Sequence, residues 1–301
     1  MKNAEMMAQL VGGAGFVAAL DQSGGSTPAA LQAFGIGADR YSGEDEMFAL
    51  IHGLRVRIMK APCIDGRRVL GVILFERTMD AQIDTVPVPE FLWRRGIVSF
   101  VKIDQGLEKD TGGVQLMKPM PDLESLLSRA RSRAVLGTKM RSVINVASHQ
   151  GIGDVVRQQF ELANHVLDQR LVPIIEPEVN IASATREECE RILLAELSNA
   201  LDGQAYGRRV VLKLSLPVSD GLYAPLVAHP SCARVLALSG GLSQDAACAA
   251  LERNRGMIAS FSRALLQDLR AHIQDQEFND VLGRAVERIY RASTVKRLAD
   301  R

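Results

Sequence analysis

Residues 210–217 read VVLKLSLP, a short apolar run with one lysine, Lys213, in its middle. Side chains of a β-strand point alternately to its two faces, so the three leucines share one face, which suits packing under helices. Val211, Lys213 and Ser215 share the other face. An ammonium group that enters an apolar interior loses its solvation or gives up its proton. The run therefore predicts a buried strand that presents a lysine to the inside of a sheet.

Seven other short runs are also apolar and rich in β-branched residues, as buried strands are. Most of the segments between them show helical periodicity. The eight runs cover residues 15–21, 71–75, 97–104, 136–144, 171–179, 209–215, 233–239 and 256–262. Strand and helix that alternate eight times are typical of a parallel sheet closed into a barrel. The expected fold class is therefore α/β, a single (β/α)8 TIM barrel with extra helices. An open doubly wound sheet is the alternative.

Polar residues at the starts of the helical segments predict where helices begin. Thr185 and Glu188 have the spacing of a capping box, in which each side chain bonds to a free backbone N–H of the first turn. Ser243 and Ser26 each precede a helical segment in the position of an N-cap. These signals support helices in the gaps between the strands.

Length and composition are those of a globular protein of 301 residues, 47% of them hydrophobic and 24% charged, with a net charge of +1. No linker-like segment divides the chain, so we expect one TIM-barrel catalytic domain over residues 1–301. Residues 35–70 and 264–301 are expected to add helices around it. The absence of a basic stripe argues against a nucleic-acid partner. No apolar run approaches the ~20 residues of a transmembrane helix, so we expect no membrane partner.

The four cysteines have no CxxC spacing, and the five histidines form no HxxxH or HxH pair. Scattered cysteines favour reduced thiols in the cytoplasm over a disulfide framework or a zinc site. Glu5 and several glycines interrupt the apolar N-terminal segment, which argues against a secretory signal. We therefore expect a cytoplasmic protein, and nothing in these spacings supports a metal site or a cofactor.

Charged and polar residues fall near the C-terminal ends of most of the runs, where barrel enzymes keep their active sites. They are Asp21, Lys102, Lys139, Arg141, Glu176, Glu178, Lys213, Ser239 and Arg263. A lone charge in a strand is usually a solvated edge residue, as Lys102 or Asp104 would be if taken singly. The repeated placement at strand ends favours a common site instead.

Alternation along each strand predicts that these side chains point into the barrel. At the seventh run Ser239 is in step with Ala237, and at the eighth Arg263 is in step with Phe261. Several cations beside several carboxylates suit a phosphorylated substrate that undergoes proton transfers.

A lysine held among other cations in a barrel interior loses proton affinity, since burial and like charge both disfavour the ammonium form. Its free amine can then attack a carbonyl and form a Schiff base. We therefore expect Lys213 to be a nucleophile, with Lys139 as its cationic neighbour.

The sequence that carries these residues resembles class I fructose-bisphosphate aldolases of the shorter bacterial form. The resemblance covers about residues 15–292. The resemblance is carried by eight motifs, one at each predicted strand: ALDQSGGS, GVILFERTMD, FVKIDQG, KMR, VPIIEPEV, VLKLSLP, LSGG and SFSRAL. It implies reversible, metal-independent cleavage of fructose 1,6-bisphosphate to dihydroxyacetone phosphate and glyceraldehyde 3-phosphate, as in glycolysis and gluconeogenesis. The expected partners are therefore small sugar phosphates.

The resemblance also implies a role for each catalytic residue. Lys213 matches the Schiff-base lysine, and Glu176 matches the acid and base that helps to dehydrate the carbinolamine. Glu178 matches its companion carboxylate. Asp21 matches the aspartate that assists cleavage of the C3–C4 bond, and Lys139 matches the lysine that polarises the intermediates.

A second group of residues matches the family's substrate-binding positions. The C1-phosphate positions are Ser239, Gly240, Gly241 and Arg263. The C6-phosphate positions are Ser23, Ser26 and Lys102. Arg141 matches the arginine that helps to orient the substrate.

Three features depart from the family pattern. Ser262 precedes Arg263 where eukaryotic members have glycine, and Ala29 and Ala30 stand where many members carry a basic residue. The C-terminal tail lacks the tyrosine that animal enzymes use to transfer a proton to the enamine. Tyr290 lies on a predicted helix over residues 277–292, where packing is its expected role.

Two other functions stay open at this point. A Schiff-base lysine would also serve sedoheptulose bisphosphate, another ketose phosphate or a transaldolase-type transfer. A catalytically inactive barrel could act as a scaffold, although every matched acid, base and lysine position is filled. The sequence leaves the choice between monomer and homo-oligomer undecided.

Overall fold

The computed structural model describes residues 2–297 and places eight parallel strands in one sheet, which a short antiparallel strand, Val114–Gln115, joins along the strand Gly137–Ile144. Two further short strands, Gln82–Ile83 and Val86–Pro87, pair with each other in a separate antiparallel sheet. The strands are β1 (Phe16–Leu20), β2 (Val69–Leu74), β3 (Val98–Lys102), β4 (Gly137–Ile144), β5 (Val172–Val179), β6 (Val210–Ser215), β7 (Cys232–Leu238) and β8 (Met257–Ala259). Each strand pairs with its neighbour in chain order. The N–H of Ala19 donates a 3.2 Å hydrogen bond to the carbonyl of Phe261, just beyond β8, so the sheet is nearly closed. The expected barrel is confirmed, because a doubly wound sheet does not keep its strands in chain order.

Twelve α-helices lie within the described residues. They are α1 (Lys2–Gly12), α2 (Thr27–Ala33), α3 (Gly43–Lys60), α4 (Glu76–Asp80), α5 (Val88–Arg94), α6 (Leu123–Ser132), α7 (His149–Asp168), α8 (Arg186–Asp202), α9 (Ala224–Ala228), α10 (Gln244–Arg253), α11 (Arg263–Leu266) and α12 (Asp275–Thr294). Helices α3 and α12 are the extra helices expected around the barrel. No helix between residues 2 and 297 has both the length and the hydropathy to cross a membrane.

One of the three expected helix caps is confirmed. Ser243 Oγ accepts a hydrogen bond from the first turn of α10. Thr185 does not cap α8, because its hydroxyl accepts a 2.9 Å hydrogen bond from the N–H of Ala147 instead. The hydroxyl of Ser26 bonds to the backbone of Ser23 and makes no cap bond to α2. The predicted capping box and the predicted Ser26 cap are therefore wrong.

The barrel interior below the charged residues is filled by apolar side chains around Phe100. This ring lies between two glycines of neighbouring strands. A Cβ at Gly137 would come within 3.0 Å of the Phe100 ring and 1.9 Å of the carbonyl oxygen of Val172, and one at Gly71 would come within 3.4 Å of the ring. The two glycines make room for one aromatic side chain where the strands approach closely.

Helix α1 closes the N-terminal end of the barrel. Its residues Met6 and Leu10 are buried in the same apolar cluster as Val17, Leu70 and Phe100. The sequence reasoning assigned no element to this segment, since it precedes the first strand of the strand–helix repeat. The floor of the barrel therefore comes from outside that repeat.

Candidate active site

Four charged side chains meet inside the C-terminal end of the barrel. Lys213 Nζ lies 2.8 Å from Oε1 of Glu176, and Lys139 Nζ lies 2.6 Å from Oε2 of the same carboxylate. Lys139 Nζ also lies 3.1 Å from Oδ2 of Asp21. The most exposed of these four side chains, that of Asp21, is only 11% exposed. The sequence-predicted catalytic lysine is thus in direct contact with the predicted acid and base.

Strand register explains why these side chains meet. Ile174 of β5 is paired with Val211 of β6. Two residues further along each strand, Glu176 and Lys213 therefore point to the same side of the sheet, next to each other. Arg141 of β4 is paired with Glu176. The alternation predicted for Lys213 is confirmed.

The charges within this cluster set the protonation of its members. Burial alone would raise the pKa of Asp21, but Lys139, Lys213 and Lys102 outweigh it and lower that pKa to about 2. Glu176 also has a lowered pKa, because Lys139 and Lys213 outweigh its burial. Burial would lower the pKa of Lys139, but Asp21 and Glu176 raise it instead. Asp21 and Glu176 are therefore carboxylates and Lys139 is an ammonium group near neutral pH.

The expected neighbour of Lys213 is present, but a carboxylate separates the two cations. Glu176 lies between Lys139 and Lys213 and contacts each with a different oxygen. The sequence reasoning placed Lys213 directly among cations, whereas its ion-pair partner is an acid. Such a carboxylate can exchange a proton with the lysine over 2.8 Å.

Two further ion pairs lie beside the central four residues. Arg141 Nε lies 2.5 Å from Oε2 of Glu178, and Lys102 Nζ lies 2.8 Å from Oδ1 of Asp104. Asp104 is only 6% exposed, so it is a member of the site and not the solvated residue it would be if taken singly. Its spacing two residues after Lys102 was the signal in the sequence.

The glycines of the LSGG motif form a turn against Arg263. Gly240 and Gly241 have φ angles of 60° and 108°, a backbone region that disfavours side chains. A Cβ at Gly241 would lie 3.3 Å from Nη2 of Arg263, so the guanidinium group packs directly over this glycine. Ser239 is buried at the start of the turn, where its carbonyl accepts a 2.9 Å hydrogen bond from Leu242 N–H. A glycine turn beside a guanidinium group can bind an oxyanion.

The strand parity predicted for Ser239 is wrong. A register shift between Cys232 and Arg234 inserts one extra residue into β7. Ala233 faces the barrel interior, and after the shift Leu236 does so in place of Ala237. A single inserted residue moves every later side chain to the other face. Ser239 therefore enters the site through the turn after β7 and not as an inward strand residue.

The prediction that Arg263 points into the barrel as a strand residue is also wrong, because the strand ends before it. Strand β8 ends at Ala259, and its inward residue is Ile258. Phe261 packs in the outer layer under the helices. Arg263 begins α11, so the helix start brings its guanidinium group to the glycine turn.

The predicted C6-phosphate residues are less closely associated. Ser23 and Ser26 bond to each other, because the N–H of Ser23 donates to Ser26 Oγ at 3.0 Å and that hydroxyl donates back to the Ser23 carbonyl at 2.9 Å. Among residues 2–297, no hydrogen bond joins Lys102 to either serine. Lys102 still lies close enough to Asp21 to help lower its pKa.

Arg55 of α3 is a buried part of the site that the sequence reasoning missed. It is 2% exposed, donates a 3.0 Å hydrogen bond to Thr78 Oγ1 and donates another to the carbonyl of Gln22, next to Asp21. Burial lowers the pKa of Arg55 to about 10, against the opposing effect of Asp21. The available signal was an arginine on the apolar stripe of a helix, in step with Ile51.

Gln22 also links the segments that follow the first and the last strand of the barrel. Its side-chain amide donates a hydrogen bond to Ser262 Oγ, which joins the turn after β1 to the segment after β8. Ser262 has a φ angle of −112°, so its backbone does not require the glycine that the resemblance implies at this position. The departure at this position therefore brings a new contact without backbone strain.

Outside this site, the remaining sequence predictions concern cysteines and Tyr290. All four cysteines are free. No group of three His, Cys, Asp or Glu side chains between residues 2 and 297 is arranged to hold a metal ion. Tyr290 packs against the core on α12, as expected.

A family model for class-I fructose-bisphosphate aldolase matches residues 11–213, more than half of the chain. The chain belongs to this family. The matched region runs from the end of α1 through β1 to Lys213 in β6. The glycine turn after β7 and Arg263 lie beyond it.

Two solved structures have a similar fold. The fructose-bisphosphate aldolase of Plasmodium falciparum, determined in complex with TRAP and a small molecule inhibitor, has a TM-score of 0.77 at 19% sequence identity, over 99% of this chain and 96% of that chain. A protein of Corynebacterium glutamicum has a TM-score of 0.53 at 14% identity, over 96% of this chain and 92% of that chain. At these identities the similarity establishes the fold of this aldolase but not its substrate.

Proposed function

We propose that this aldolase reversibly cleaves fructose 1,6-bisphosphate to dihydroxyacetone phosphate and glyceraldehyde 3-phosphate through a Schiff base on Lys213. The observation that carries the proposal is the contact of 2.8 Å between the buried Lys213 and the buried Glu176. It lies at the C-terminal end of the strands, where barrel enzymes bind their substrates. In this role the protein would act in the cytoplasm, in glycolysis or gluconeogenesis.

The first step of the proposed reaction joins Lys213 to the substrate ketone. Glu176 accepts a proton from Lys213, and the free amine attacks C2 to give a carbinolamine. Glu176 then returns a proton to the C2 hydroxyl, which leaves as water. The protonated imine that results withdraws electrons from C3 and makes a metal ion unnecessary in this mechanism.

The second step breaks the C3–C4 bond. Asp21 accepts the proton of the C4 hydroxyl as the aldehyde forms, and the electrons of the broken bond move through C3 to the imine nitrogen. The positive imine becomes a neutral enamine while the negative carboxylate becomes a neutral acid. Because both charges disappear together, a carboxylate with a pKa of about 2 in the free enzyme can serve as the base.

Lys139 and Glu178 support these steps without forming bonds to the substrate. Lys139 holds Asp21 and Glu176 in place through ion pairs of 3.1 and 2.6 Å. Glu178 pairs with Arg141, which we propose orients the substrate between the two phosphate positions. Protonation of the enamine at C3 and hydrolysis of the imine then release dihydroxyacetone phosphate.

The balance of charge differs between the two proposed phosphate positions, because Lys102 is paired with a carboxylate and, within the described residues, Arg263 is not. Four cations in the barrel mouth are matched by four carboxylates: Lys102, Lys139, Arg141 and Lys213 by Asp21, Asp104, Glu176 and Glu178. The exposed Arg263 has no carboxylate partner among residues 2–297. We propose that Ser239, Gly240, Gly241 and Arg263 bind the C1 phosphate. Ser23, Ser26 and Lys102 are the proposed C6-phosphate residues.

Borohydride reduction in the presence of dihydroxyacetone phosphate tests the covalent step. We expect a mass adduct on the peptide that contains Lys213 and none in a Lys213→Met variant. A Lys60→Met variant, which removes an exposed lysine of α3, is the matched control and should be labelled like the wild type. An adduct confined to another lysine, or no adduct in an enzyme that cleaves the substrate, would contradict the proposal.

Parallel cleavage assays test the substrate. The three substrates to compare are fructose 1,6-bisphosphate, sedoheptulose 1,7-bisphosphate and fructose 1-phosphate. We expect fructose 1,6-bisphosphate to have the highest kcat/KM. The absence of a basic residue at Ala29 and Ala30 predicts a smaller preference for the bisphosphate than a site with an extra cation would have. A higher kcat/KM for sedoheptulose bisphosphate would make the alternative substrate the correct one.

A further inference from the structure

A cavity lies at the opposite end of the barrel from Lys213. It has a volume of about 400 Å³ and is lined by residues at the N-terminal ends of β7 and β8 and at the C-terminal end of α12. Four cations line it, and no acidic residue does: they are Arg234, Arg255, Lys296 and Arg297. Cavities that bind small ligands typically have volumes of ~300–1,000 Å³.

Few carboxylates of the described residues pair with the cations of this cavity. Within residues 2–297, no carboxylate forms an ion pair with Arg234, Arg255 or Lys296. Arg297 pairs at 2.9 Å with Glu252, but that carboxylate also pairs with Arg288. Water solvates the exposed Arg255 and Arg297, but Arg234 and Lys296 are partly buried, so the four cations together would attract an anion into the cavity.

The contacts of Arg234 hold its guanidinium group in the cavity wall. The group donates to the carbonyl oxygens of Val11 and Gly13, at the end of α1. Its Nε is buried and has no hydrogen-bond partner. Arg234 is therefore a fixed cation in the wall of the cavity, and two backbone carbonyls determine the position of its guanidinium group.

Lys296 and Ser293 add further donors. Lys296 Nζ donates two 2.9 Å hydrogen bonds to carbonyl oxygens, and burial together with the nearby Arg234 lowers its pKa to about 8, against the effect of Glu252. Ser293 Oγ accepts a 3.0 Å hydrogen bond from the N–H of Ala259, which leaves its hydroxyl hydrogen free to donate. Guanidinium, ammonium and hydroxyl donors together are the groups that bind phosphate.

We propose that this cavity binds a small metabolite that carries a phosphate or diphosphate group, at a site separate from the catalytic end of the barrel. The cavity is concave and has several donors that converge without an opposing carboxylate. It touches the N-terminal ends of β7 and β8, the two strands whose other ends lead to Ser239 and Arg263. A ligand here would therefore bind the same strands as the substrate without competing for the same groups.

Hydrogen exchange with inorganic pyrophosphate as the probe tests this site at constant ionic strength. We expect pyrophosphate to slow exchange in peptides that cover residues 253–260 and 289–297. An Arg255→Gln/Lys296→Gln variant should need an at least ~10-fold higher concentration, because two charge-assisted contacts are lost. An Arg94→Gln variant, with the same kind of change on the exposed face of α5, should respond like the wild type.

The readout separates this site from the catalytic one. An Arg263→Gln variant should keep the protection of both peptides, since Arg263 lies at the other end of the barrel. If the double variant does not fold, the single Arg255→Gln variant decides, because Arg255 is exposed and makes no ion pair within residues 2–297. The proposal is overturned if pyrophosphate gives no protection in the wild type. It is also overturned if the Arg255→Gln/Lys296→Gln variant, or the single Arg255→Gln variant in its place, is protected as well as the wild type. Neither result depends on whether Lys213 forms a Schiff base.

Discussion

Replacement of Asp21 by Asn gives a direct test of the electrostatics of the barrel mouth. The ordinary pKa of an aspartate, 3.8, is lowered to about 2 at this position. At ~1.4 kcal/mol per pKa unit, the ionised carboxylate contributes about 2 kcal/mol to the free energy of unfolding at neutral pH. Because the folded-state pKa is the lower one, this contribution is complete above the ordinary pKa and is lost as the pH falls through about 2.

Part of this loss of stability can be measured above pH 3, where the Asp21 carboxyl is still mostly ionised in the folded protein. Between pH 6 and pH 3 the wild type should lose about 1 kcal/mol of stability from Asp21 alone, roughly half of the total. Urea unfolding followed by circular dichroism at both pH values gives the free energies. The Asp21→Asn variant should lack this part of the pH dependence, whereas Asp268→Asn, an exposed control, should keep it. If wild type and Asp21→Asn lose stability in parallel, the ion pair with Lys139 does not hold the carboxylate as described.

The same variant separates the two proposed chemical steps. In the proposed mechanism Asp21 acts on the C4 hydroxyl, which dihydroxyacetone phosphate lacks. The variant should therefore still be trapped by borohydride at Lys213 with dihydroxyacetone phosphate, while cleavage of fructose 1,6-bisphosphate falls by ~10²–10⁴-fold. Loss of trapping together with cleavage would mean that Asp21 is needed to form the imine, and the assignment of steps would have to change.

Three other outcomes follow from the geometry. Arg263→Gln should raise the KM for fructose 1,6-bisphosphate by ~10-fold or more with a smaller change in kcat, and the exposed control Arg94→Gln should not. Arg55→Met should lower kcat more than Arg55→Lys does in steady-state assays, because only the lysine can still donate to the carbonyl beside Asp21; equal values would make Arg55 purely a packing residue. In thermal or urea unfolding, Gly137→Ala should destabilise the fold by ~3 kcal/mol or more, because its Cβ would meet a backbone oxygen, whereas Gly283→Ala on α12 has open space and should stabilise it by up to ~1 kcal/mol.

The strands were predictable because alternation is a local property of the backbone. The position of Lys213 within VVLKLSLP was enough to place it inside the barrel, since β6 is regular from Val210 to Ser215. The same reasoning failed for Ser239, because the extra residue in β7 leaves no mark in the sequence of that strand. Its apolar residues satisfy either register, and only the pairing with β6 distinguishes them.

Contacts between distant segments were the other feature that the sequence did not reveal. Thr185 has the residue type and spacing of a capping box, yet its hydroxyl is used by Ala147, 38 residues earlier in the chain. Arg55 resembles an ordinary helix residue until α3 is packed against the turn after β1. Both cases depend on which loops meet at the barrel mouth, and that is decided by the closure of the sheet and not by local propensity.

The two lysines of the central cluster have different physical roles, which explains why a lysine can occupy a buried strand. Lys139 contacts both Asp21 and Glu176, so it neutralises the carboxylates and its charge is held firmly. Lys213 forms an ion pair with Glu176 alone. If Lys213 lost its charge, Glu176 would still have Lys139 and Arg141 as cationic neighbours. Leaving a buried charge without any partner is what destabilises a protein, and removal of the charge on Lys213 does not do so. Under the proposed mechanism, the lysine of VVLKLSLP is therefore the cation of this cluster that reacts with the substrate, because its carboxylate partner keeps other cations beside it.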